Sequence, residues 1–162
     1  GKIRSGIMRS RRHPNTEFLI DMDSSHCRST FSTKVQLFMP KTFLILGSLN
    51  TLLCIALGAF GAHGLKQILS TDMLTVYHTG VQYHFYHAFG MIVIGLLLMH
   101  FPKSRWLPIS GWLMMTGIIL FSFSLYVLSI SGIRSLGMIT PFGGVSFMSA
   151  WALVVYAIWK DK

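Results

Sequence analysis

The sequence predicts an all-α integral membrane protein, a four-helix bundle in up-down order. Three observations predict it. First, 52% of the 162 residues are apolar and only 12% are charged, with a mean hydropathy of +0.56, whereas a soluble domain carries about 25% charged residues. Second, four stretches are long and apolar enough to cross a hydrocarbon core about 30 Å thick at about 1.5 Å per residue. They run from Phe43 to Gly61, Tyr83 to Met99, Ile109 to Ile130 and Met138 to Trp159, and none contains Lys, Arg, Asp or Glu. A soluble helix with one buried face would carry charge on the other face. Third, the connections are short, which favours antiparallel neighbours, and no alternation of the barrel-strand kind is present.

Residues 1–38 are expected to stand apart from the membrane domain, residues 39–162. This arm holds seven basic and three acidic side chains and only 12 apolar residues, too few to bury a core of its own. Met39 stands directly before the first apolar run. The arm therefore reads first as an upstream extension of the reading frame. It reads second as a targeting presequence, which Glu17, Asp21 and Asp23 oppose, and third as a basic arm that touches anionic lipid. The net charge of +9 is thus divided between the arm and the loops. It gives no sign of the basic face that nucleic acid needs, so no nucleic-acid partner is expected. The partner implied is the lipid bilayer.

The first helix, about 43–61, carries small residues at spacings of four and three: Gly47, Thr51, Cys54, Gly58 and Gly61. Helices in lipid associate through close backbone approach, so this is a packing seam, open to a neighbouring helix, a second copy or another membrane protein. Asn50 borders it and is positioned to hydrogen-bond across it. The longest connection is expected at about 62–79. Ser70 or Thr71 followed by Asp72 marks a helix start inside it, so the second helix is set at 72–100. There His84 and His87 share a face and Tyr83 pairs with His87 at i, i+4. The third helix, 109–130, follows Pro108, a first-turn residue. Its Ser122, Tyr126 and Ser129 form one polar stripe, while Ser124 lies on another face. The fourth helix, 138–159, carries a small pair at Ser146 and Ala150. Its start, Thr140-Pro141-Phe142-Gly143-Gly144, is suited to a loosened first turn with free backbone groups.

Lysine and arginine counts orient the bundle. Lys41, Lys103, Arg105, Lys160 and Lys162 fall on one side, and Lys66 and Arg134 on the other. The positive-inside rule then puts both termini in the cytoplasm, in a plasma (inner) membrane. With that orientation His63, Tyr83, His84, His87, Ser122, Tyr126, Thr140, Pro141, Gly143 and Gly144 are expected in one polar layer in the extracytoplasmic half. The layer is either an interhelical hydrogen-bond network or a small pocket opening outward.

Four passages together resemble the domain of unknown function 423 family of small four-span inner-membrane proteins. They are LGAFGAHGL (Leu57–Leu65), TGVQYHFYHA (Thr79–Ala88), FSFSLYVLSISG (Phe121–Gly132) and TPFGGVSFMSAW (Thr140–Trp151). The resemblance covers about Met39 to Tyr156 and leaves residues 1–38 outside. It maps the family pattern onto Gly58, Gly61, His63, Tyr83, His87, Ser124, Leu125, Tyr126, Thr140, Pro141, Gly143, Gly144 and Trp151. Family members often have Gln at His84 and Gly at Phe123. The first difference favours His87 as the functional imidazole. The second implies that Phe123 fills a groove or that helix three packs differently. The resemblance supplies no activity.

The functional expectation is a small membrane binding, transport or accessory protein working through the polar layer, or a purely structural or interaction protein without a ligand. A carboxylate-driven exchanger is opposed by the absence of Asp and Glu from the spans. A haem or metal protein on His63, His84 and His87 lacks enough further ligands, and two His at i, i+3 on one helix cannot be opposite axial ligands of one iron. An enzyme lacks G-x-S-x-G or H-E-x-x-H. No cofactor, metal site or catalytic residue is therefore expected.

Overall fold

The structure, a computed structural model, describes residues 39–160. The expectations for the arm, and for Lys162, lie outside the described residues. Four long helices are present: α1 (Met39–Leu65), α2 (Thr71–His100), α3 (Trp106–Ser131) and α4 (Arg134–Lys160). Among the described residues there is no strand.

Local chemistry sets the helix ends. Pro40 stands in the first turn of α1, where its missing N–H costs nothing. The final turn of α1 is widened into π geometry over Gly61–Leu65. Ile68 and Leu69 then donate their N–H groups to the Leu65 carbonyl. The Ser70 hydroxyl accepts from the Met73 N–H at 3.4 Å, and Asp72 sits in the first turn of α2. The long loop expected at 62–79 is therefore shortened to residues 66–70. The reason is that α1 continues until Leu65 is buried in an aromatic cluster with Tyr77 and Tyr126. Ser104 Oγ accepts from the Leu107 N–H at 3.5 Å, which starts α3 with Pro108 in its first turn. Gly132 ends α3 in the left-handed region (φ 70°) and returns its N–H to the Leu128 carbonyl, the conformation that favours glycine.

The loosened turn of α4 is a 3-10 segment at Arg134–Met138, ahead of Thr140. From Thr140 onward the helix is regular. Gly143 is needed for close approach instead: a Cβ there would lie 2.6 Å from the Phe121 backbone nitrogen.

Successive helices run antiparallel. The small-residue seam of α1 closes on α2 within the chain. A Cβ on Gly47 would meet the Ala88 carbonyl at 2.9 Å, one on Gly61 would meet the Tyr77 ring, and Cys54 Sγ–H donates to the Val81 carbonyl at 3.2 Å. The seam is thus packed on α2 of the same chain at Gly47, Cys54 and Gly61. On the α3–α4 contact, Ser110 Oγ donates to the Ala150 carbonyl at 2.7 Å and Ser146 Oγ to the Leu113 carbonyl at 2.8 Å. The Ser146–Ala150 pair is therefore buried against α3.

Two apolar regions result. The larger joins Phe43, Met91, Ile94, Leu107, Met114, Ile118, Phe147 and Val154, and the smaller is Leu65, Tyr77 and Tyr126. At the end of the bundle where α3 starts and α4 stops, the Lys160 ammonium lies 5.8 Å from the Trp106 ring and bonds the Tyr156 hydroxyl at 3.2 Å.

Candidate functional site

Between the two apolar regions lies a line of buried polar side chains from three helices. His84 of α2 is fully buried, with Nδ1 3.2 Å from the Tyr126 hydroxyl of α3 and Nε2 3.2 Å from Asn50 Oδ1 of α1. Asn50 Nδ2 donates to the Leu46 carbonyl at 2.8 Å and points toward Met115 Sδ at 3.8 Å. That bond fixes which end of the amide is nitrogen, so Oδ1 faces the imidazole as an acceptor. A neutral imidazole has one donor and one acceptor. Nε2–H therefore donates to Asn50, and Nδ1 accepts the Tyr126 O–H. The bonds run in one direction, from phenol to imidazole to amide to backbone carbonyl.

The aromatic surroundings hold this line in place. Tyr77 donates its hydroxyl to the Leu57 carbonyl at 2.9 Å, and its ring lies 5.0 Å from that of Tyr126. Gly80 permits the approach, since a Cβ there would lie 3.0 Å from the Tyr126 ring and 3.2 Å from the Ser122 carbonyl. Ser122 itself is fully buried, and its hydroxyl has no hydrogen-bond partner. It belongs to a π-widened segment, Ile118–Phe123, in the middle of α3. Such single widened turns are frequent at functional positions.

The other expected site residues divide into three groups. His87 is buried, with Nδ1 2.7 Å from the Tyr83 carbonyl and its ring stacked on Phe147 at 3.4 Å. Its bonding is therefore separate from the His84 line, and Tyr83 is partly exposed against Phe121. Thr140 meets Ser124 Oγ at 3.4 Å, two residues along α3 from Ser122. His63 and Pro141 are exposed, Gly143 packs on Phe121, and Gly144 faces open space.

The ten residues therefore do not share one hydrogen-bond network: His84 is joined to Tyr126, while His87 and Thr140 bond elsewhere. His84 lies near the midpoint of α2 and its partner Asn50 near the midpoint of α1, with Ser122 within a turn of the midpoint of α3. Hydropathy puts the membrane entry of the second helix at Tyr83. The helix itself begins at Thr71, one residue before the start expected, so His84 and His87 flank its midpoint.

A groove of about 310 Å³ runs between α1 and α3, lined by Leu46, Leu49, Asn50, Leu53, Met115, Ile118, Ile119 and Phe123. Asn50 is its only amide or charged residue, and Phe123 forms part of its wall. Among the described residues no three His, Cys, Asp or Glu side chains gather as metal ligands do. Sequence reasoning missed Tyr77 and Phe147 as supports. The i, i+7 spacing of Tyr77 and His84 was the available signal for the first. The widened turn in α3 leaves none.

Residues 57–144 match the family described as protein of unknown function (DUF423). The chain belongs to the DUF423 family. It is 50% identical to the UPF0382 membrane protein YwdK of Bacillus subtilis over 120 residues, 74% of this chain and 98% of that protein. A UPF0382 membrane protein of Staphylococcus haemolyticus is 41% identical over 120 residues, covering 74% and 97%. One from Haemophilus influenzae is 37% identical over 124 residues, covering 76% and 98%. No solved structure matches the chain. The DUF423 match takes in His84, Ser122, Tyr126, Thr140 and Gly143 and leaves Asn50 outside. This DUF423 chain is a multi-pass membrane protein, with four spans and relatives that are membrane proteins.

Proposed function

We propose that this protein is a small, non-enzymatic binding or accessory protein of the plasma (inner) membrane, with both termini cytoplasmic. In this reading it holds a membrane-dissolved molecule in the groove between α1 and α3. The observation that carries it is the Asn50–His84–Tyr126 line at the middle of the bundle, with Asn50 lining that groove. A polar line at this depth needs partners in every state, and packing alone would be served by apolar residues, as in the large core around Met91 and Met114. A non-catalytic role is supported by the position of Asp72, the one carboxylate among the described residues, which is exposed in the first turn of α2.

The test is native mass spectrometry of the protein released directly from its own membranes. The expected result is a small-molecule adduct on the wild type that Asn50→Leu loses at equal membrane abundance. An unliganded wild type would sink the proposal. A second reading, a purely structural bundle, is favoured by the fact that both ring nitrogens of His84 are satisfied within the chain. It predicts that Asn50→Leu lowers membrane abundance and any cellular phenotype in proportion.

A further inference from the structure

The lipid-facing side of α2 carries a polar pair that the chain does not satisfy. Gln82 Nε2 donates to the Tyr86 hydroxyl at 2.8 Å, and both side chains are exposed. Tyr86 lies at the midpoint of Thr71–His100, and Gln82 is one turn away, about 6 Å along the axis. A hydrocarbon core about 30 Å thick, centred on the four helices, holds both. There neither water nor an acyl chain can complete their hydrogen bonds, and a polar side chain at that depth requires a partner.

The groups left over define that partner. Tyr86 already accepts from the amide, so its own O–H is a free donor. Gln82 has used one N–H, so its Oε1 is a free acceptor. Donor and acceptor therefore lie side by side on one patch, their side-chain tips 2.8 Å apart, and a two-fold axis along the membrane normal, beside the patch, brings each to its opposite on a second copy. Symmetric contacts of this kind, the same surface meeting itself, are the commonest in homo-oligomers.

The surrounding shape agrees. A groove of about 330 Å³ lies beside the pair, between α1 and α2, lined by Cys54, Ile55, Gly58, Ala59, Phe85 and the polar pair with Val81. Its small residues allow close helix approach, the main source of helix association in lipid. Moreover, α1 is the least covered of the four helices, with only 22% of its apolar window buried inside the chain, against 50% for α3.

We propose that this face is the dimer interface of the protein. Two copies meet along α1 and α2, with Tyr86 O–H of each copy donating to Gln82 Oε1 of the other. This surface takes in the edge of the α1 seam at Cys54 and Gly58, beside the part packed on α2 of the same chain, and it does not depend on the ligand reading of the α1–α3 groove.

The experiment measures self-association of the full chain by fluorescence energy transfer in phosphatidylethanolamine–phosphatidylglycerol vesicles over a range of protein-to-lipid ratios. The wild type is expected to dimerise. Tyr86→Phe keeps the ring and removes the donor twice per dimer, so the dissociation constant should rise about eightfold, the weight of two membrane hydrogen bonds. Ala59→Phe fills the groove from an exposed position and should abolish the dimer while helicity and membrane abundance stay at wild-type level. Val155→Phe, on the exposed side of α4, should leave association unchanged. A wild type that stays monomeric at all ratios overturns the proposal, including the case in which a small hydroxylic lipid is found in the groove. Association that survives both Tyr86→Phe and Ala59→Phe overturns it too.

Discussion

His84 is where the chemistry of this protein is most constrained, because its two ring nitrogens join three helices at the centre of the bundle. His84→Leu leaves the Tyr126 O–H and Asn50 Oδ1 without partners in a site that water does not reach. Each orphaned group costs about 1–3 kcal/mol when buried, so thermal unfolding in detergent should show a loss of at least about 2 kcal/mol. His84→Gln retains one acceptor and a donor and should lose less than half as much. Equal losses for the two variants would mean that His84 acts by ring packing rather than hydrogen bonding. The two adjacent glycines of α4 supply a second residue-level contrast. A Cβ on Gly143 would lie within 3 Å of the Phe121 backbone, whereas one on Gly144 meets nothing within 4 Å. Gly143→Ala should destabilise by about 1–3 kcal/mol through overpacking. Gly144→Ala should stabilise by up to about 1 kcal/mol through helix propensity. The same unfolding measurement separates them, and the expectation is refuted if the two shifts have the same sign.

At the scale of the element, the widened turn Ile118–Phe123 sets the direction of the part of α3 that follows it. One extra residue in a helix rotates the downstream turns by about 100°, so the widened turn puts Tyr126 on the face that meets His84. Deleting Ile119 should restore plain α geometry and turn Tyr126 away. With Cys27 and Cys54 replaced by Ser, a Gly80→Cys, Ser122→Cys pair should form a disulfide readily in the full-length helix, since the two backbones approach closely there. The same pair should fail to cross-link in the deletion variant, and undiminished cross-linking would show that the turn does not control the register. This element also marks the limit of what the sequence reveals. The four spans, the Ser70 cap and the small-residue approach of α1 to α2 at Gly47 and Gly61 are written in hydropathy, spacing and residue size. A π turn has no spacing signature, because it is imposed by packing between helices. The extension of α1 through His63 to Leu65 is hidden for a similar reason, as Gly61 and Gly64 read as a loop until Tyr77 and the buried Leu65 are seen beside them.

For the whole molecule, spacing and hydropathy carry the topology. Hydropathy locates where charge is absent, and the start signal at Ser70–Asp72 carries α2 back through a polar first third, so that its midpoint falls between His84 and His87. The ends of the bundle carry the orientation signal. Lys41, Lys103, Arg105 and Lys160 lie at one end, where Lys160 also meets Trp106, and Lys66 and Arg134 lie at the other. Each basic side chain retained on the cytoplasmic face gains about 1 kcal/mol from anionic lipid, and short basic loops resist translocation. The basic end should therefore face the cytoplasm. In a chain with Cys27 and Cys54 replaced by Ser, Lys66→Cys or Arg134→Cys should react with a membrane-impermeant maleimide on intact cells. Lys103→Cys should react only after the cells are opened. Labelling of Lys103→Cys on intact cells, with protection of Lys66→Cys, would reverse the orientation. It would also place the connection at residues 66–70, with its exposed Lys66 and the nearby Asp72, on the cytoplasmic side, where a soluble partner rather than the outer medium would meet it.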